Sequence, residues 1–209
     1  MDTSKTKPRR FLDFMYEIAR KKLAENPNYF NLKNTKNMYI IFDTETTGLP
    51  KRWNEPITDT DNWPRCVQLA WAVYDEAGQI IKKQEYLIKP DGFTVPNDAT
   101  SVHGISTEML QEKGIDMQMV LKEFETDLSN VKYIVGHNIL FDLNIIGCEL
   151  HRYSITSTLL ELPYLDTCTE ETAQLCQLPG GRGGRFKLPT ISEVYEYLFK
   201  EKISSTYNA

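Results

Sequence analysis

The chain has 209 residues, of which 41% are hydrophobic, 25% charged and 11% aromatic. That composition suits one globular domain with an appendage and excludes a fibrous or disordered chain. The net charge of −5 is unevenly spread: residues 1–37 carry nine Lys/Arg against four Asp/Glu, and residues 38–209 carry fifteen against twenty-five. An acidic body argues against a generic polyanion binder, but it is compatible with metal-dependent chemistry on a nucleic acid, because bound cations offset acid charge locally. No apolar run approaches the roughly 18–20 residues that span a bilayer. The basic start, MDTSKTKPRRF, is not followed by the apolar stretch of a secretory signal. Cys66, Cys148, Cys168 and Cys176 are scattered with no CxxC pair, as expected of reduced thiols in a cytoplasmic protein.

In chain order, residues 10–25 read as an amphipathic helix, with Phe11, Met15, Ile18 and Leu23 at helical spacing. The Asn-rich stretch around Pro27 breaks it. Residues 1–37 are therefore expected to form an N-terminal basic helical arm, and residues 38–209 the main domain. MYIIFD (38–43) is a strand, VQLAWAVYD (67–75) a second, and AGQ (77–79) turns into a third at 80–90. These three are expected to form an antiparallel meander. Residues 116–130 read as a helix capped by Asp116, with Met117, Val120, Leu121, Phe124 and Leu128 as its buried stripe. A strand at 131–136, a helix at 139–152, a short strand at 162–167 and a helix at 170–178 follow. PGGRGGRFK (179–187) is a flexible loop, and 190–202 is a last helix capped by Thr190 or Ser192. Three strands followed by alternating helices and strands predict an α/β fold, a mixed sheet flanked by helices.

The chemistry concentrates in two stretches. In IIFDTETTGLP (40–50), a buried-looking strand ends in Asp43 and Glu45. Strand residues two apart share a face, so the two carboxylates stand together and repel unless something positive lies between them. In VGHNILFDLN (135–144), a strand delivers Gly136-His137-Asn138 to the start of a helix whose early part carries Asp142. Strand ends are where α/β sheets build their sites. Three carboxylates with no cysteine partner suit Mg2+ or Mn2+ rather than Zn2+. Two such ions perform phosphodiester hydrolysis in many enzymes.

Together, in order and about 100 residues apart, these stretches resemble a known family. FDTETTG (42–48) looks like the first motif of the DEDD exonucleases, and GHNILFD (136–142) looks like their second. PNDATSVHGIS (96–106) is similar to the intervening segment in proofreading exonucleases of the bacterial DNA polymerase III epsilon type. YLDT (164–167) and KLPTISEVYEYLF (187–199) resemble the stretches leading to the third motif. The resemblance covers about 38–209. It implies a ribonuclease-H-like fold and 3′→5′ release of nucleoside monophosphates with two Mg2+ or Mn2+ ions.

The resemblance gives each matched residue an expected role. Asp43 bridges both metals, Glu45 binds the nucleophile-side metal and Asp142 supports the other. Thr46 and its N–H meet the terminal nucleotide, with Thr47, Gly48 and Leu49 shaping the approach. His103 and Gly104 line the terminal-nucleotide pocket. Asn138 hydrogen-bonds near the scissile phosphate, and Phe141 forms pocket wall.

The sequence departs from the pattern at the third motif. The histidine branch uses HxxxxD, a general-base His and a fourth Asp. The three histidines here are His103, His137 and His151; all lie upstream of where that motif is expected, and His151 has no Asp five positions on. Neither Tyr195 nor Tyr197 is followed four positions later by Asp, so the tyrosine branch does not fit. The missing motif is expected beyond Ala209, and a polypeptide of these residues alone is expected to bind metal weakly and to have little or no nuclease activity. The expected partners are single-stranded or frayed DNA 3′ ends, with RNA, a DNA polymerase, or a purely nucleic-acid-binding role as alternatives, and no membrane.

Overall fold

A computed structural model of the protein describes residues 38–200. The basic arm expected at 1–37 lies outside the described residues. Five strands form one mixed sheet: β1 (Tyr39–Thr46), β2 (Cys66–Tyr74), β3 (Ile80–Leu87), β4 (Tyr133–Gly136) and β5 (Tyr164–Asp166), in the order β3-β2-β1-β4-β5. β1, β2 and β3 pair antiparallel, which is the expected meander. β4 runs parallel to β1, and β5 parallel to β4. The helices are α1 (Asn97–His103), α2 (Thr107–Lys113), α3 (Met117–Leu128), α4 (Ile139–Arg152), α5 (Glu170–Cys176) and α6 (Ile191–Phe199).

The alternation of β1 builds both layers. Ile40 and Phe42 point to one face, where β2 residues Leu69 and Trp71 meet α3 and α4. Every residue of the expected α3 stripe is buried there, and Phe124 stands edge-on to both Phe42 and Trp71, at 5.3 and 5.4 Å between centroids. Burial of one such aromatic side chain is worth about 1.5–3 kcal/mol. Ile41 points to the opposite face, with Ala72, Tyr74 and Val135, where Cys176 of α5 and Ile191 and Val194 of α6 cover it.

Local signals behave as expected at two caps. The Asp116 side chain accepts the Met119 N–H, and Thr190 and Glu193 form a reciprocal capping box at the start of α6. The third strand ends at Leu87 rather than running to residue 90, because from Ile88 the chain pairs with Ile115 in a parallel bridge. α1 and α2, not foreseen as helices from periodicity, pack with Val67, Val95, Ile105 and Leu110 into a small separate core. The four cysteines are thiols rather than disulfides. No helix among the described residues is long and apolar enough to cross a membrane.

Candidate active site

The site sits where β1 outruns its parallel neighbour. β4 pairs with β1 only as far as Ile41 opposite Val135. Beyond that point the β4-side edge of β1 is open, and the first turn of α4 closes it. The Thr44 N–H donates to Asp142 Oδ1 at 3.0 Å, and the Thr44 hydroxyl donates to the same oxygen at 2.6 Å. Asp142 is thus fixed to the residue between Asp43 and Glu45. On the other edge, the pairing with β2 slips by one residue between Glu45 and Thr46. Such irregularities twist a strand end and re-aim its side chains.

Asp43 and Glu45 are partly buried and share the face of Ile41, whereas Asp142 is 3% exposed. Among the described residues no Lys or Arg forms an ion pair with any of them. The electrostatic result is strong. Burial raises the Asp43 pKa from 3.8 to about 7. Burial, then the neighbouring Asp43 charge, raises Glu45 from 4.5 to about 8. Burial and Asp43 also hold Asp142 well above the ordinary carboxylate range. Asp43 therefore weighs on both Glu45 and Asp142, and no side chain among the described residues supplies the positive charge that the sequence calls for. Among the described residues, no three His, Cys, Asp or Glu side chains already stand in a metal-holding arrangement, and Asp142 directs Oδ1 at Thr44 instead.

The turn after β1 is held from three sides. The Thr46 hydroxyl donates to the Gly48 carbonyl at 2.6 Å. Gly48 has φ 146°, a conformation that side-chain-bearing residues rarely adopt. The Thr47 N–H donates to the Arg65 carbonyl and its hydroxyl accepts the Arg65 N–H. The third tie is His103. Its Nδ1 accepts the Ile105 N–H at 3.1 Å, which leaves the proton on Nε2, 3.2 Å from the Thr46 carbonyl. Burial lowers the His103 pKa from 6.5, so the ring is a neutral donor. Gly104 follows in a left-handed conformation that ends α1 and permits this return. The structure thus joins His103 to the first motif, as a clamp on its turn. Thr46 and Thr47 spend their hydroxyls on the turn, and Leu49 is 73% exposed beside it.

Asn138 starts α4 in a left-handed conformation, with an exposed side chain that makes no capping bond. Its N–H donates to Asp166 Oδ1 at 2.8 Å, and the Cys168 N–H donates to the same oxygen at 2.7 Å. Asp166 at the end of β5 therefore fixes the backbone that presents Asn138. Phe141 is partly buried against the core, next to Asp142. His137 bridges Thr167 and the Pro189 carbonyl, each at 3.0 Å, and ties the last loop to the sheet. The supporting residues Thr44, Asp166 and His137 were not assigned from sequence. Asp166 lay within the quoted YLDT, and its place at a strand end was the available signal.

A second polar cluster lies behind the turn. Glu149 of α4 is fully buried, and its Oε1 accepts from Arg65 Nε, the Cys66 N–H and Arg152 at 2.9–3.0 Å. Arg152 also donates to the carbonyls of Thr60 and Trp63. A cavity of about 540 Å3 adjoins this cluster, with Thr47, Arg65, Phe93 and Tyr153 in its wall and none of the three acids. Every guanidinium group here is engaged, so the cluster reads as a clip that holds α4 and β2 in register.

Comparison with known proteins gives the family. The profile of the RNase_T family, described as exonuclease, matches residues 40–203. The chain is 30% identical over 146 residues to a PolC-type DNA polymerase III of Mycoplasma genitalium, covering 70% of this chain and 9% of that protein. It is 29% identical over 160 residues to the 3′-5′ exonuclease DinG of Bacillus subtilis, covering 76% of this chain and 15% of that protein. The chain thus spans a small part of the curated relatives that it matches. Among solved structures, Escherichia coli exonuclease I in complex with a dA16 oligonucleotide superposes with a TM-score of 0.60 at 18% identity, over 82% of this chain and 37% of that one. A zinc-bound form of the E. coli exonuclease I–ssDNA complex superposes equally well, with a TM-score of 0.60 at 19% identity, over 83% of this chain and 37% of that one. At those identities the likeness shows the fold, the ribonuclease-H-like mixed sheet expected from sequence. With the family profile spanning most of the domain, the chain belongs to the RNase_T exonuclease family.

Proposed function

We propose that the protein is a metal-dependent 3′→5′ exonuclease that hydrolyses the terminal phosphodiester bond of single-stranded or frayed DNA and releases nucleoside monophosphates. One observation carries the reading. Three carboxylates from β1 and α4 are gathered in a partly desolvated site, each held above its ordinary pKa, with no cationic side chain among the described residues paired to them. Such an arrangement is unstable alone and fits hard divalent cations, Mg2+ or Mn2+, with oxygen ligands. Asp43, Glu45 and Asp142 would hold two ions, which when bound acidify water and offset charge on the phosphate.

The chain's own residues supply the rest. The exposed Asn138 side chain, on a backbone fixed by Asp166, is placed to meet phosphate oxygens. His103, through the Thr46 carbonyl, keeps the turn in the shape that receives the terminal nucleotide, and Phe141 walls the base. None of the three histidines is placed as a general base: His103 and His137 are each held at both ring nitrogens, and His151 is exposed on the last turn of α4. If no other group serves as the base, cleavage is slow, since loss of a general base costs about 10²–10⁴-fold.

The test is a 5′-labelled single-stranded oligodeoxynucleotide with Mg2+ or Mn2+, run beside an RNA of the same sequence. Stepwise shortening from the 3′ end, abolished by a chelator and by Asp43→Asn, is expected. Shortening undiminished in Asp43→Asn would reject the assignment. Preferential trimming of the RNA would move the substrate to the alternative class.

A further inference from the structure

The loop between β1 and β2 presents one side chain that the catalytic reading does not use. Trp53 is 55% exposed, although its ring centroid lies 5.9 Å from that of Phe141, at an interplanar angle of 52°. The other two tryptophans, Trp63 and Trp71, are 3% and 0% exposed. Trp53 is not on a slack segment. The side chain of Asn62, itself 4% exposed, accepts the Arg52 N–H at 2.8 Å and donates back to the Arg52 carbonyl at 2.9 Å. The Lys51 N–H donates to the Asn62 carbonyl, Arg52 pairs with Glu55 at 2.8 Å, and Trp63 Nε1 donates to the Pro56 carbonyl. A loop clamped at these points holds an indole in water at the cost of its apolar surface, beside the residue that adjoins Asp142.

The surroundings say what would cover it. Leu49, from the turn after the acids, and Leu140, from the first turn of α4, are 73% and 52% exposed. Lys51 is exposed two residues from Trp53. An exposed flat aromatic face against Phe141, on a loop that also exposes a cation two residues away, is the composition of a single-strand stacking site, where base–aromatic contact is tolerant of sequence and a cation meets the backbone. We infer that Trp53 is a stacking platform for a base of single-stranded nucleic acid next to the terminal nucleotide. It extends the Phe141 wall outward and sets the preference for an oligonucleotide over a mononucleotide ester. The inference rests on the exonuclease reading for the direction of the strand, but its binding test does not require cleavage.

Trp63 and Trp71 are buried away from a stacked base, so the part of the emission that is quenched in the wild type and not in Trp53→Phe reports on Trp53. Titration of the protein with a short oligothymidylate in Ca2+, the oligonucleotide being checked as intact, should quench the emission to saturation. Trp53→Ala should weaken oligonucleotide binding about 5- to 30-fold, the range expected for loss of one stacked base, and Trp53→Phe should keep most of the affinity. Hydrolysis of the p-nitrophenyl ester of thymidine 5′-phosphate, which has no second base, should be unchanged in both variants. Absence of quenching, equal oligonucleotide affinity in wild type and Trp53→Ala, or an equal fall in ester and oligonucleotide turnover would each overturn the inference. If the wild type cleaves neither substrate while the oligonucleotide still quenches Trp53, the exonuclease reading fails and the stacking platform stands.

Discussion

Neutralising Asp43 should make the metal-free protein more stable in alkaline buffer. Its pKa is 3.8 in an unstructured chain and about 7 in the fold, with burial as the cause. A raised acid favours the folded state fully below pH 4, where it is neutral in both states. As pH rises from about 4 to about 7 the unfolded chain ionises first, and stability falls by about 1.4 kcal/mol per pH unit. Above pH 7 the loss is complete, on the order of 4 kcal/mol if Asp43 titrated alone. Coupling to Glu45 and Asp142 shares that penalty, so a net gain of about 1–3 kcal/mol is expected for Asp43→Asn at pH 8.5. In a domain of this size that is about 3–10 °C in Tm. The assay is thermal or urea unfolding of wild type and Asp43→Asn in chelator, from pH 4 to pH 8.5. The gap should open with pH and vanish towards pH 4. In Mg2+ the order should reverse, because only the wild type gains binding free energy, about 2.7 kcal/mol at a hundredfold excess over Kd. A variant less stable than wild type at pH 8.5 without metal, or a gap independent of pH, would refute this reading of the site.

Thr44→Val removes the 2.6 Å hydroxyl contact to Asp142 and keeps the backbone one. It should cost about 1–2 kcal/mol in urea unfolding and raise the metal concentration needed for half-maximal activity; unchanged metal dependence would show that Thr44 does not position Asp142. The His103 ring should titrate by NMR with a midpoint below 6.5, because burial disfavours its cation; a midpoint above 6.5 would contradict the neutral-donor role. Glu149→Ala leaves Arg65 and Arg152 without their shared carboxylate, and should cost about 3–5 kcal/mol in denaturant unfolding. A cost near zero would show that the buried cluster does not clip α4 to β2.

The two acid-bearing motifs were legible because they break a pattern. Carboxylates at alternate positions where a strand should stay apolar have few structural uses, and the Asn-Ile-Leu-Phe-Asp run places a third acid at a helix start. The α3 stripe and the Asp116 and Thr190 caps were legible because each is local, set by residues within four positions of one another. What stayed hidden is non-local or short. Thr44 reads as an ordinary strand residue until α4, 98 residues away, brings Asp142 to it. Glu149 looks like the polar face of an amphipathic helix, yet its partner Arg65 is 84 residues distant. α1 and α2 have seven residues each, too few for a helical period to declare itself, although Gly104 and the Ser106 cap punctuate them. Trp53 sits in a loop whose shape depends on Asn62, and no periodicity reports that.

The most direct test is anomalous diffraction from crystals soaked in Mn2+. Bound ions should appear in contact with the carboxylates of Asp43, Glu45 and Asp142, and disappear in Asp43→Asn. Full-occupancy Mn2+ elsewhere on the protein, with those three side chains left untouched, would contradict the proposal that they are its metal site.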